Sequence, residues 1–219
     1  MKSQNDLLSA IRPEITEYIE REILPRYNHF DDAHKVEHPR AVIADSLQLA
    51  KSCGVDIEMA YVIAAYHDTG MVDGRETHHL ASGRIVMADK NLRKWFTEEQ
   101  ILTMKEAVED HRASGKSEPR SIYGKIVADA DREIENLQPL RRTIQYGLKN
   151  YPELDKEGHY VRFCKHIKEK YACGGYMHLW IQNSTKSKLL DELQDLIDDE
   201  TMLRQTFDRL WLEIQGLEK

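Results

Sequence analysis

His67 and Asp68 lie side by side at the end of the apolar run Ile63–Tyr66. Ionisable side chains cost free energy when they leave water, unless a partner compensates for the lost hydration. A metal ion is one such partner, because it binds neutral imidazoles and ionised carboxylates and its charge offsets their desolvation. The pair therefore raises the hypothesis of a metal site.

Further segments place the same residue types beside apolar residues. His111 continues a helical stripe that includes Met104 and Val108. The other candidates are His38, the adjacent pair His78 and His79, and two carboxylates in the segment IVADADREI, Asp129 and Asp131. One histidine on an apolar face is more often a hydrogen-bonded core residue than a ligand, but several such segments indicate a shared metal. Nitrogen and oxygen ligands without thiolate suit Mn, Fe, Co, Ni, Zn or Mg, bound as one or two ions.

Spacing alone does not choose between Asp129 and Asp131. On a helical wheel the two aspartates flank the apolar stripe almost symmetrically. Both stay candidates on this ground, as do His78 and His79.

Together these residues resemble the HD domain superfamily of metal-dependent phosphohydrolases, whose pattern is H…HD…D. His38 in the segment HPRAV, His67-Asp68, and Asp131 in the segment ADRE match that pattern. The segments THHLASG and AVEDHR are similar to further parts of it, and the resemblance covers about residues 30–137. It implies an all-α fold, an HD-domain-like helical bundle with additional C-terminal helices.

The resemblance also implies a set of metal ligands. One ion would be bound by His38, His67, Asp68 and Asp131. Asp68 would bridge if there are two ions, and His79 with His111 would hold the second. His78 is the alternative to His79, and His34 is expected to support the ligands without binding metal.

The implied reaction is hydrolysis of a phosphate ester, with a nucleotide or related small molecule as substrate. The attacking water would be bound to metal, which lowers its pKa from about 15.7 towards about 7. We assign catalytic roles to Asp68, His111 and Glu109. For acid–base work the sequence does not separate Glu109 from three other carboxylates, Asp73, Glu106 and Asp110.

Basic side chains are expected to hold the substrate phosphate. Arg40 and Arg75 are the closest in sequence to the implied ligands, and further candidates are Arg112, Lys116 and Arg132. One residue narrows the range of substrates that the resemblance implies. Met71 stands where HD-type deoxynucleoside monophosphatases have a catalytic glutamate, which argues against that branch.

Helical periodicity dominates the chain, and no strand alternation is evident. The predicted helices are 3–24 with a restart near Pro13 and an end at Pro25, a helix from Pro39 to a cap at Gly54, 56–68, 79–90, 97–113, 121–137, 139–149, 158–172, and two amphipathic helices in the tail. We expect one domain over 1–219, with a motif core at about 30–137 and a helical extension at about 139–219.

The charge and composition of the chain argue against some classes of binding partner. Lys and Arg number 31 and Asp and Glu number 38, so the formal net charge is −7. This balance argues against a binder of nucleic acid polymers or membrane surfaces. Three widely spaced cysteines, no apolar run long enough for a bilayer and no secretion signal predict a cytoplasmic protein. Its partner would be a small phosphorylated substrate, and a homodimer is left open.

Two alternatives to hydrolysis remain at this point. A di-iron oxygenase of the same fold would need both metal sites. A non-catalytic metal- or ligand-binding protein would have every coordination position of its metal filled by protein.

Overall fold

The computed structural model describes residues 4–29, 36–112 and 117–216. These residues form eleven α-helices and no strand, which confirms the all-α prediction. The helices are α1 (Gln4–Leu8), α2 (Pro13–Tyr18), α3 (Glu37–Cys53), α4 (Ile57–Tyr66), α5 (His78–Ala88), α6 (Glu98–Asp110), α7 (Ile122–Ala130), α8 (Gln138–Asn150), α9 (Lys156–Tyr171), α10 (Thr185–Asp198) and α11 (Glu200–Ile214). A π-helical turn (Ile19–Ile23) and 3-10 helices (Leu24–His29, Thr69–Asp73, Leu92–Lys94, Glu135–Leu137) connect them.

The chain divides into two compact units, Met1–Arg132 and Glu133–Lys219. Each unit has its own cluster of buried apolar side chains. The boundary lies near the end of the expected motif core. The single domain over 1–219 stays a prediction.

Helix α4 is the central element of the first unit. All its residues from Met59 to Tyr66 are buried, as an apolar composition on every face predicts. It packs against α3, α6 and α7. Its first turn is fixed by Asp56, whose side chain accepts hydrogen bonds from the backbone N–H groups of Glu58 and Met59. The end of α4 therefore lies deep in the unit.

Two predicted helix ends are wrong. The predicted helix 121–137 stops at Ala130, where the N–H of Arg132 bonds to the carbonyl of Asp129 at 3.1 Å in a tighter turn. In the predicted helix 3–24 the expected restart near Pro13 is confirmed, because α2 begins there, but Pro25 lies inside a 3-10 helix instead of ending the pattern. Periodicity did not show these two ends because apolar residues continue past them.

No helix in the described ranges is long and apolar enough to cross a membrane.

Candidate metal centre

The ends of three helices and the starts of two others surround Asp68. His67 and Asp68 follow the last turn of α4, His111 follows α6, and Asp131 follows α7. His38 is the second residue of α3, and His78 is the first of α5. Side chains at helix ends project beyond the regular backbone, so these elements bring polar groups together without breaking the apolar core.

Three histidine rings are oriented by the same kind of hydrogen bond. Nδ1 of His67 donates to the carbonyl of Ala64 at 2.7 Å, and Nδ1 of His111 donates to that of Val108 at 2.6 Å. His78 does the same with the carbonyl of Arg75 at 2.8 Å. Because a carbonyl only accepts, the hydrogen of each neutral ring is on Nδ1 and the lone pair is on Nε2. Such bonds are typical of metal-binding histidines.

The carboxylate of Asp68 faces two pairs of histidines, one with each oxygen. Oδ2 lies 3.6 Å from Nε2 of His38 and 3.3 Å from Nε2 of His67. Oδ1 lies 3.2 Å from Nε2 of His78 and 3.3 Å from Nε2 of His111. The residue is 3% exposed. Asp68 is therefore shared by two groups of donors that are close enough to hold metal, His38–His67–Asp68 and Asp68–His78–His111.

Within each pair the two Nε2 atoms face each other. They are 3.1 Å apart between His38 and His67, and 3.0 Å apart between His78 and His111. In the neutral forms of His78 and His111, whose hydrogens are on Nδ1, two lone pairs would meet at this distance and repel. A proton or a metal cation relieves that repulsion. The donor set and its orientation therefore fit divalent metal ions.

Asp131 completes the first group. Its Oδ1 lies 3.2 Å from Nε2 of His38 and 3.7 Å from Nε2 of His67. Asp129 lies two residues earlier, within α7, and is fully buried. The structure thus brings Asp131, the residue that the family resemblance favoured, to the histidines.

Electrostatics couples these groups strongly. Burial opposes the charged form of His38, but its hydrogen bonds with Asp131 and Asp68 outweigh burial and raise its pKa to about 10. Burial would raise the pKa of Asp68, whereas the neighbouring His67, His111 and His38 hold it well below its usual range. In the absence of metal the cluster therefore contains ionised carboxylates beside a protonated histidine. A divalent ion that binds there must displace protons.

The structure brings His78 to the cluster and leaves His79 outside both groups of donors. One residue along a helix rotates the side chain by about 100°, so only one member of this pair faces Asp68. Burial and the nearby His78 lower the pKa of His79. Two other residues considered from the sequence, His34 and Lys116, lie outside the described residues.

The candidate phosphate-binding arginines differ in their surroundings. Arg40 forms a two-point ion pair with Glu20, with distances of 2.8 and 2.6 Å. Arg75 has an exposed side chain and precedes α5. Arg132 is 8% exposed and donates to the carbonyl of His111 at 3.2 Å. Arg112 donates to the carbonyl of Glu76 at 2.5 Å.

Glu109 contacts two cations and a glycine. Its carboxylate lies 3.0 Å from Nζ of Lys105 and 2.9 Å from Nη2 of Arg120. Gly83 of α5 leaves the space that the Glu109 side chain occupies, since a Cβ there would lie 2.7 Å from it. Glu109 thus links α6 to α5.

The backbone at Gly70 lies in close contact with α5, and this contact sets the position of that helix. A Cβ on Gly70 would lie 2.2 Å from the carbonyl oxygen of His78 and 2.4 Å from the nitrogen of Ser82. The N–H of Gly70 donates to the hydroxyl of Ser82 at 2.8 Å. The small residues of the segment LASG therefore let α5 pack directly on the turn after Asp68.

Tyr27 was missed by the sequence reasoning. Its fully buried hydroxyl donates to the carbonyl of Ala65 at 3.0 Å and accepts the N–H of Asp68 at 3.2 Å. It thereby fixes the last turn of α4. No sequence signal separates it from an ordinary core tyrosine, because its partners are backbone atoms far away in the chain.

Comparison with known proteins agrees with this geometry. Residues 36–134 match the family model of the HD domain, and this range contains His38, His67, Asp68 and Asp131. This segment of the chain is therefore similar to the HD domain family.

The fold has a relative among solved structures. The chain is similar to a predicted HD superfamily hydrolase from an uncultured Thermotogales bacterium, with a TM-score of 0.59 and 17% identity. The similarity covers 96% of this chain and 99% of that one, and at this identity it supports the shared fold alone. No curated protein matches the chain.

Proposed function

We propose that this protein is a phosphohydrolase that uses one or two divalent metal ions and acts on a small phosphate ester, such as a nucleotide. The observation that carries the proposal is the carboxylate of Asp68, which offers one oxygen to each of two histidine pairs. His38, His67, Asp68 and Asp131 would hold the first ion. Asp68, His78 and His111 would hold the second.

Divalent ions in such a site supply Lewis acidity and make hydroxide available near neutral pH. The protein residues supply orientation. Backbone hydrogen bonds fix the Nε2 atoms of His67, His78 and His111, and Tyr27 fixes the backbone at Asp68. A site that is held in place before substrate binds loses little energy to reorganisation during the reaction.

Arg75 is the better of the two proposed phosphate ligands. Arg40 is neutralised by Glu20, and a substrate phosphate would have to compete with that pair. Arg75 belongs to the segment that orients His78 through its carbonyl. Arg75 is therefore close in sequence to His78 of the second histidine pair. Its exposed side chain forms no ion pair with any described residue.

The proposal is tested by metal analysis of the purified protein and by a screen of nucleotides and small phosphate esters with Mn²⁺, Co²⁺, Ni²⁺ and Mg²⁺. We expect release of phosphate that depends on metal. His67→Ala and Asp68→Ala should lose metal and activity together, because each removes a buried ligand. Asp191→Ala, an exposed aspartate of α10, is the matched control and should keep both.

Unchanged metal content in both ligand variants would contradict the proposed site. Oxygen consumption with Fe²⁺, without hydrolysis of any ester, would instead favour the di-iron oxygenase. Tight metal binding with neither reaction would favour the non-catalytic alternative.

A further inference from the structure

A concave site lies in the first unit, apart from the metal centre. This cleft, called here the α2–α5 cleft, is formed by α2, the turns that follow it, the end of α5 and the 3-10 helix Leu92–Lys94. Its volume is about 710 Å³, within the range of about 300–1,000 Å³ that is typical of small-molecule sites. None of the proposed metal ligands lines it.

Two aromatic side chains, Tyr18 and Trp95, line the cleft and are held by several contacts. The rings of Tyr18 and Trp95 pack with centroids 5.6 Å apart. The Tyr18 hydroxyl donates to Oδ2 of Asp89 at 2.5 Å, and the Tyr66 hydroxyl donates to the same oxygen at 2.6 Å. The other carboxylate oxygen of Asp89 accepts the N–H of Asn91 at 2.8 Å. The two rings are tilted by 52° to each other, so either ring, but not both, can offer its face to a planar ligand.

The rim of the cleft carries four cations, which differ in their partners among the described residues. Arg21 is paired with Glu22 at 2.8 Å. By contrast, Arg26, Lys90 and Lys94 form no salt bridge with any acidic residue in the described part of the chain. The Lys94 ammonium donates to the neutral side chain of Asn91 at 2.7 Å. Arg26 lines the cleft from one segment, and Lys90 and Lys94 line it from another.

Four carboxylates line the cleft and limit the charge of a ligand; Glu22 is paired with Arg21, and Asp89 accepts hydrogen bonds from two tyrosines. Glu14 and Glu17 of α2 also line the cleft and form no salt bridge among the described residues. A highly charged polyphosphate would be repelled by them, whereas a ligand with one anionic group and an exocyclic amine would satisfy both kinds of charge. Lysines suit a phosphate as point charges, and glutamates accept hydrogen bonds from an amine.

We propose that the α2–α5 cleft binds a planar heteroaromatic molecule that carries one phosphate, the chemical class of the nucleoside monophosphates. The ring would lie against Tyr18 or Trp95, and the phosphate would meet Lys90 and Lys94. This site is separate from the proposed catalytic centre and does not need metal.

The test uses the full-length protein in EDTA, with adenosine monophosphate as the probe, followed by calorimetry and by tryptophan fluorescence. We expect saturable binding at one site. Adenosine alone and inorganic phosphate alone should each bind about tenfold more weakly or worse, because each keeps only half of the contacts. Equal affinity for inorganic phosphate or for adenosine would overturn the assignment of the ring or of the phosphate.

Variants locate the binding. The double variant Lys90→Ala/Lys94→Ala should weaken adenosine monophosphate about tenfold or more. The matched control Lys51→Ala/Lys188→Ala removes the same charge from exposed positions elsewhere and should bind as the wild type does. These lysines are exposed, so circular dichroism should show an unchanged fold in both variants.

Three results would overturn the proposal. One is no binding to the wild type at millimolar concentrations, and another is equal weakening in the control. The third is binding that is lost in Asp68→Asn but kept in Lys90→Ala/Lys94→Ala, since this would place the nucleotide at the metal centre. If the cleft does not bind adenosine monophosphate, the proposed hydrolase activity is unaffected, because that proposal is tested separately by metal content and turnover.

Discussion

Asp68 is the residue at which the two histidine pairs meet. Its two oxygens are inequivalent, since Oδ2 faces His38 and His67 and Oδ1 faces His78 and His111. A carboxylate arranged in this way suits two ions better than one. A second ion would then depend on His78, which lies in a group of possible donors that does not include His79.

Substitution of the two adjacent histidines tests this assignment. We expect His78→Ala to lower the bound Mn²⁺ by about one ion per chain, because Nε2 of His78 is one of the few nitrogens that face Asp68. His79→Ala should keep the wild-type metal content, and it is the natural control. Metal analysis after dialysis measures both. Loss of metal in His79→Ala alone would reverse the assignment.

The two aspartates of α7 give a second paired test. Asp131→Asn should weaken metal binding by roughly 10- to 100-fold, because it removes an ionised group from His38 and His67. Asp129→Asn should retain metal but lower the free energy of unfolding by about 1–3 kcal/mol, since it changes a fully buried hydrogen-bonding group. Metal titration and urea unfolding separate the two effects. The opposite pattern would make Asp129 the ligand.

At the scale of elements, α5 is positioned by contact with the turn after Asp68. The absence of a side chain at Gly70 lets the first turns of α5 approach to within contact of its backbone. His78 begins α5 and also reaches Asp68. The packing of this helix and the second histidine pair are therefore linked.

Gly70→Ala tests that link. The added methyl group would overlap backbone atoms of His78 and Ser82, so α5 must move. We expect a loss of about 1–3 kcal/mol in the free energy of unfolding, together with weaker binding of the second metal ion. Thermal unfolding and metal titration below the transition measure the two quantities.

Gly54→Ala is the control for this substitution. Gly54 ends α3 with φ of 67° and has no atom within 4 Å of a Cβ at that position. The alanine should cost about 1–2 kcal/mol through backbone strain and leave metal binding unchanged. Equal metal affinity in both variants would show that α5 does not need this close approach.

The helices and the general site were predictable because apolar periodicity and the H…HD…D pattern are local features of the sequence. The choice of His78 over His79 was not, since it depends on where α5 starts and on the carbonyl of Arg75. Likewise, a helical wheel treats Asp129 and Asp131 alike, and the contact of Asp131 with His38 and His67 depends on elements that are far away in the sequence. The ion pair between Arg40 and Glu20 joins separate elements, and no spacing in the sequence reveals it.

At the scale of the whole molecule, the proposed ligands all belong to the first unit. That unit has a cluster of buried apolar residues that includes most of α4, and the second unit has a separate cluster around Phe163 and Phe207. Metal that binds only the folded first unit should stabilise that unit by mass action. The helices of the second unit pack around a separate core, so metal binding need not stabilise them.

Hydrogen exchange of the full chain, with and without Mn²⁺, tests this expectation. At a free metal concentration 100 times the dissociation constant, binding contributes about 2.7 kcal/mol. The slowest amides of α3 to α7 should then exchange roughly 100-fold more slowly, since each factor of ten corresponds to about 1.4 kcal/mol. Amides of α8 to α11 should change little. Asp68→Ala should abolish the added protection, while equal protection in α8 to α11 would show that the two units unfold as one.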